Sequence, residues 1–153
     1  MQCSEIMTKN PECCLPSDTV ITAAQLMKSE DVGPIPIVAD KEGRKLAGIV
    51  TDRDLAIKVI AEARDPNTTR IADVMSDDVV SCRETDDVNK VLKLMEENQV
   101  RRIPVVGSND QLLGIIAQAD VATRLGQPAA TGRVVEQISE EPGVEAKGGG
   151  SAA

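Results

Sequence analysis

The sequence predicts an α+β fold assembled from one strand-helix-strand-strand-helix unit written twice. Two observations carry this. At an offset of 68 residues, ten of the 32 positions from Met7 to Val38 match their counterparts: Met7/Met75, Cys14/Cys82, Asp18/Asp86, Val20/Val88, Leu26/Leu94, Met27/Met95, Val32/Val100, Ile35/Ile103, Pro36/Pro104 and Val38/Val106. Chance at an average composition gives about two. After a two-residue deletion the offset becomes 66, and Leu46/Leu112, Gly48/Gly114, Ile49/Ile115, Asp54/Asp120 and Ala56/Ala122 pair. The deletion falls in a turn, where a change of length is tolerated.

Within each unit a short strand, about 12–14 and 79–81, leads to a polar helix cap, PSDT or RETDD. A helix follows, with apolar residues at i, i+3, i+4 and i+7: Val20, Ala23, Ala24 and Met27, then Val88, Val91, Leu92 and Met95. The Pro-led runs IPIV and IPVV are too short for helices. Polar turns, DKEGR and GSND, separate them from the runs LAGIV and LLGII, so each pair reads as a hairpin. A last helix starts near Thr51 or Ala117. The expected organisation is a first repeat at 1–64, a linker at 65–70 marked by Pro66, a second repeat at 71–126, and a tail at 127–153 with one short helix and a disordered Gly-rich end.

Composition narrows the functions. A chain of 153 residues, 41% hydrophobic, is enough for one domain or two small halves, and it has no Phe, Tyr or Trp, so any base-binding pocket must be aliphatic. The net charge of −8 opposes attraction to nucleic acid or anionic lipid. With no histidine, Ser-His-Asp, Cys-His and His-based zinc sites are excluded. The start lacks a signal peptide's apolar core and no apolar run approaches a membrane span, which predicts a cytoplasmic protein. Cys3, Cys13, Cys14 and Cys82 contain no CxxC pair, so reduced thiols are expected ahead of a metal site.

The stretch GIVTDRDL, 48–55, admits two readings. Thr51 and Asp54 have the spacing of a capping box. In the second unit the equivalent is GIIAQADV, where Ala117 cannot cap but Asp120 is kept. An Asp retained without its capping partner points beyond the capping box, although it also favours a helix N-terminus electrostatically.

Across about 4–125 the chain resembles the tandem cystathionine β-synthase (CBS) domain pair, or Bateman module. The marks are IM and VM, the IPIV and IPVV strands, and Gly48, Thr51 and Asp54 in the order Gly, two apolar residues, Thr, two others, Asp. The resemblance implies two repeats about a pseudo-twofold axis, with adenosine-containing ligands in clefts between them. It implies that Asp54 grips the ribose hydroxyls and that Thr51 contacts ribose or phosphate. Ile49, Val79, Val80, Val100, Arg101, Arg102 and Pro104 would complete that site, the arginines as phosphate ligands. A second, weaker or empty site would combine Asp120 with Pro11, Glu12, Val32, Gly33 and Pro36, where Ala117 replaces Thr and Glu12 repels phosphate. The expected function is a non-catalytic regulatory module for AMP, ADP, ATP, NAD or S-adenosylmethionine. It would require no cofactor or metal, form a homodimer, and act on a regulated protein in trans. The alternatives are a structural homodimerisation module without ligand, and a thiol redox or metal protein using Cys13, Cys14 and Cys82.

Overall fold

The structure, a computed structural model, describes residues 1–125. The expected tail at 127–153 lies outside the described residues. In chain order the elements are β1 (Thr8–Lys9), α1 (Val20–Glu30), β2 (Ile35–Val38), β3 (Leu46–Val50), α2 (Asp52–Leu55), β4 (Cys82–Arg83), α3 (Val88–Asn98), β5 (Arg102–Val106), β6 (Leu112–Ala117) and α4 (Gln118–Leu125). This is the α+β pattern expected, twice over. The first short strand is reduced to a parallel bridge between Cys14 and Ile37, and its counterpart lies slightly later than expected, at β4.

Two compact units form, and they do not coincide with the sequence repeats. Among the described residues one comprises Met1–Pro11, Val80–Ser108 and 112–125; the other comprises Glu12–Val79 with Asn109–Gln111. The N-terminal arm therefore belongs with the second repeat, and residues 71–79 belong with the first. The arms are thus exchanged between the sequence repeats expected at 1–64 and 71–126.

The hydrogen bonds of the arms repeat across the two units. In one unit Cys3 N–H donates to Asp86 O at 2.9 Å, Ser4 N–H to Glu84 O at 3.0 Å, and Val88 N–H to Met1 O at 2.9 Å. In the other, the equivalent bonds are Ile71 N–H to Asp18 O at 2.8 Å, Ala72 N–H to Pro16 O at 2.9 Å, and Val20 N–H to Thr69 O at 2.9 Å. The segment 65–70 is thus a structural part rather than a passive linker. Thr69 is buried, and the carbonyls of Thr69 and Pro66 satisfy the first amides of α1 at Val20 and Ile21. Thr19, at the helix cap, makes no side-chain capping bond, so the expectation of a PSDT side-chain cap is replaced by a backbone cap. In α3 the expected cap does form, Asp87 Oδ1 accepting from Asn89 N–H at 2.8 Å.

Each unit has its own apolar core. The unit holding α3 buries Cys3, Ile6, Cys82, Val88, Val91, Leu92, Met95, Ile103, Val105, Ile116 and Val121. Its sheet has the order β1-β6-β5-β4, with β4 parallel to β5 and the other pairs antiparallel. The other unit buries Cys14, Val20, Ala23, Met27, Ile35, Ile37, Val50, Val59, Ile71 and Val74 around the β2–β3 hairpin. There, Ser76 bridges Ile49 where β1 pairs β6, so the same strand order recurs with shorter edges. Each fully buried aliphatic side chain contributes roughly 1.5–3 kcal/mol relative to exposure. Aliphatic, thiol and thioether side chains therefore make both cores without an aromatic ring.

Candidate functional site

The start of α2 explains itself locally. Thr51 has an extended backbone, which is where a helix begins, and its Oγ1 accepts from Asp54 N–H at 3.1 Å. In return Asp54 Oδ2 accepts from Thr51 N–H at 2.9 Å. The capping box is complete. The other carboxylate oxygen, Oδ1, lies 3.3 Å from Lys58 Nζ, and that ammonium also donates to Val74 O at 3.0 Å. The Asp54 side chain is only 19% exposed, so it is a mostly buried carboxylate with a cation already at hand. Lys58 stands one turn on from Asp54, in the π-helical turn Ala56–Ile60 that follows α2, where Ala61 N–H bonds to Ala56 O at 2.9 Å. Nothing in the sequence pattern singled out Lys58 beyond its i+4 spacing from Asp54.

At the equivalent start of α4, Ala117 N–H donates to Asp120 Oδ2 at 3.2 Å. Half of the capping box survives without the hydroxyl. The carboxylate thus has a structural role even without the hydroxyl: it binds the amide three residues earlier, and every residue except proline has one.

The remaining expected residues fall into the two units separately. Ile49, in β3, exchanges two bonds with Ser76, each 2.9 Å, and stays half-buried. Val79 is half-buried at the end of the same unit. In the other unit Val80 and Val100 pack against the core, and Pro104 is buried in β5 opposite Ile115. Arg102 begins β5, paired with Ala117. Arg101 accepts Gln118 N–H on its carbonyl at 2.8 Å, while its Nε is buried with no hydrogen-bond partner among the described residues. A buried donor left unsatisfied is costly, and a cationic one suits an anion. Of the residues assigned to the weaker site, Asp120 is half-buried and Pro11 is half-buried in the unit holding α3. Glu12 is exposed, Val32 packs against the core of its own unit, and Gly33 and Pro36 are buried.

The glycines before these helix starts carry a structural demand that the motif alone did not reveal. A Cβ on Gly48 would lie 2.7 Å from Ser76 O and 3.1 Å from Met75 Sδ, and one on Gly114 would lie 2.6 Å from Met7 Sδ and 2.8 Å from Thr8 O. Each glycine makes room for the arm that precedes the other repeat, with the repeated methionine against it.

Among the described residues no group of three or more Cys, Asp or Glu could hold a metal ion, and the chain has no histidine. Cys82 Sγ has a sulfur neighbour that spacing did not suggest, donating to Cys3 Sγ at 3.7 Å. Among the described residues no helix is long and apolar enough to cross a membrane.

A duplicated α+β module with exchanged arms, a Thr-Asp helix start and an aliphatic core defines a class, the paired CBS module. The CBS domain family profile matches residues 3–60 and 71–126, and the chain belongs to that family. It is 40% identical over 136 residues to the uncharacterized protein YlbB of Bacillus subtilis, covering 89% of this chain and 90% of that one. The crystal structure of Hypoxic Response Protein I with two coordinated zinc ions superimposes with a TM-score of 0.73 at 35% identity, over 80% of this chain and 98% of that one. The CBS domain pair of protein MJ0100, crystallised in complex with 5′-methylthioadenosine and S-adenosyl-L-methionine, gives a TM-score of 0.69 at 26% identity, over 82% and 96%.

Proposed function

We propose that this protein is a non-catalytic regulatory module, acting in the cytoplasm, that binds an adenosine-containing ligand: AMP, ADP, ATP, NAD or S-adenosylmethionine. The observation that carries the reading is the mostly buried Asp54 carboxylate beside Thr51 at a helix start, in a chain similar to a CBS pair crystallised with adenosyl ligands. A carboxylate accepts two hydrogen bonds from a ribose cis-diol, and charge-assisted bonds are roughly twice as strong as neutral ones. Asp54 Oδ1, with two lone pairs, would exchange its Lys58 contact for the two hydroxyls, leaving Oδ2 on the helix cap. Ile49 and Val79, in the same unit as Asp54, supply aliphatic surface for adenine. In the other unit Arg101, whose Nε is buried without a hydrogen-bond partner among the described residues, and Arg102 are cations suited to phosphate. The site built on Asp120, with Ala117 in place of Thr, is weak or empty.

Ligand binding to the folded state raises its stability by mass action. Thermal shift and calorimetry on the intact protein with the five ligands should identify one that stabilises it. Asp54→Asn should weaken that ligand at least tenfold, and Asp120→Asn should leave it within about twofold, each tenfold step being about 1.4 kcal/mol. Equal losses in the two variants would overturn the asymmetry, and an unchanged ligand response in Asp54→Asn would overturn the site.

A second reading, a homodimerisation module without ligand, is favoured by Ile57 and Ile60, exposed 46% and 76% on the π-helical turn. Sedimentation of Ile60→Glu against the parent chain tests it. A shift to monomer with no ligand response in either protein would favour this reading over the sensor.

A further inference from the structure

Cys3 and Cys82 are 79 residues apart in sequence, yet their sulfurs lie 3.7 Å from each other. Both are buried, at 0% and 3% exposure, in an otherwise apolar cluster with Ile6, Val88 and Met95. Neither is needed for the binding function proposed above. Cys82 is fixed by the sheet, since β4 pairs with Val105 and Val106. Cys3 is carried by the arm, which is held by a single 3-10 turn, the two-residue β1, and the Cys3, Ser4 and Met1 backbone bonds. Two thiols from distant parts of the chain therefore meet at the joint between the arm and its unit.

We infer that Cys3 and Cys82 are a peroxide-responsive thiol pair, oxidised to an intramolecular disulfide that locks the N-terminal arm onto the unit holding α3. The chemistry balances with hydrogen peroxide as the oxidant. The Cys3 thiolate attacks one peroxide oxygen and the O–O bond breaks, leaving Cys3 sulfenic acid and releasing water once the leaving hydroxide takes a proton. Cys82 sulfur then attacks Cys3 Sγ, the S–O bond breaks, and a second water leaves with the Cys82 proton. Two thiols lose two electrons and two protons, and one peroxide becomes two waters.

The sulfurs must close from 3.7 Å to about 2.05 Å, a movement within reach of side-chain rotation. Local opening of so short an arm admits the peroxide. The division of labour follows the hydrogen bond: Cys82 donates to Cys3, which lowers the Cys3 pKa against the opposing effects of burial, Asp86 and Asp87. Cys82, as donor, is raised, first by that bond and then by burial. Cys14, at the equivalent repeat position, is pushed up to about 11, chiefly by burial, and serves as an internal control.

The test uses the fully reduced intact protein, freed of reductant and exposed to hydrogen peroxide. Thiol titration in denaturant should fall from the four cysteines of the chain to two. A tryptic map without reduction should show the Cys3 peptide joined to the Cys82 peptide, two hydrogens lighter than their sum, in a chain that stays monomeric on a non-reducing denaturing gel. Closing so long a loop should raise the melting temperature by about 5 °C or more, reversibly with dithiothreitol. Cys3→Ser and, independently, Cys82→Ala should each abolish the crosslink and the shift, whereas Cys13→Ser should retain both. The inference is overturned if peroxide leaves all four thiols free, or if it consumes Cys13 or Cys14 instead. It is equally overturned if the chains crosslink to each other, or if Cys3 goes to sulfinic acid without a disulfide. The wild-type map decides even where a variant fails to fold, and adenosine-ligand binding plays no part in the readout.

Discussion

Gly48 shows how one residue can serve the architecture while looking like part of a ligand motif. Its missing side chain lets Ser76 O approach to within 2.7 Å of where a Cβ would stand, and that neighbour is backbone held in two bonds to Ile49. Neither side can yield cheaply. Gly48→Ala should therefore cost about 1–3 kcal/mol in urea unfolding, while Gly43→Ala, which meets only the Asp40 carboxylate at 3.3 Å, should cost less than about 1 kcal/mol. Equal effects at the two glycines would contradict the close approach of the arm. Asp54 teaches the converse. Its motif suggested a ligand residue, and its ligand-free geometry is a closed capping box with a lysine on the spare oxygen. The two roles are compatible because a carboxylate has two oxygens and the cap uses one.

At the scale of the element, each long helix begins at a turn closed by the repeated aspartate. Asp18 Oδ2 accepts from Leu15 N–H at 2.9 Å, and Asp86 Oδ2 from Arg83 N–H at 2.8 Å. The pKa of Asp86 is lowered, first by that backbone donor, against the penalty from burial, with Lys90, 3.3 Å away, adding to the lowering. A carboxyl group lowered on folding adds stability above its unfolded pKa, and that stability is lost as pH falls through the folded value. Asp86→Asn keeps an acceptor and removes the charge. It should cost about 0.5–1 kcal/mol at pH 7, with the Lys90 part screened by solvent, and the difference from the parent should shrink toward zero below pH 3. Denaturation curves at the two pH values measure this. A cost that grew with acidity would mean that the charge is unfavourable in the fold. The helix exits also repeat: Asp31 and Gln99 both take left-handed backbone at the C-cap, with φ of 55° and 53°, and return their amides to Met27 O and Met95 O. Neither is glycine, so no composition signal marked these ends.

For the whole molecule, the exchanged arms decide what belongs to what. Removing residues 1–11 takes Cys3 and Ile6 out of the α3 unit's core, and with them the pairing of Thr8 and Lys9 to Ile115 and Gly114. Hydrogen exchange on a chain lacking 1–11 should show protection falling by at least tenfold in β5, β6 and α3, ahead of α1, β2 and β3, which keep their own arm at 69–76. Uniform loss across both sets, or loss led by the β2–β3 unit, would show that the arm belongs elsewhere.

The duplication, the helices, the hairpins and the Thr-Asp helix start were all legible in the chain, because periodicity, turn residues and capping pairs act over a few neighbouring residues and are written locally. The Asp18/Asp86, Met7/Met75 and Cys14/Cys82 identities were visible as well, although their purposes were not. Which arm completes which unit was decided only in three dimensions, since Met7 and Met75 hold equivalent positions in the repeat and packing against Gly114 or Gly48 distinguishes them. The same holds for Lys58 on Asp54, for the carbonyl cap on α1 and for the meeting of Cys3 with Cys82. Each joins groups whose approach depends on burial and chain path, and neither burial nor path is carried by sequence spacing.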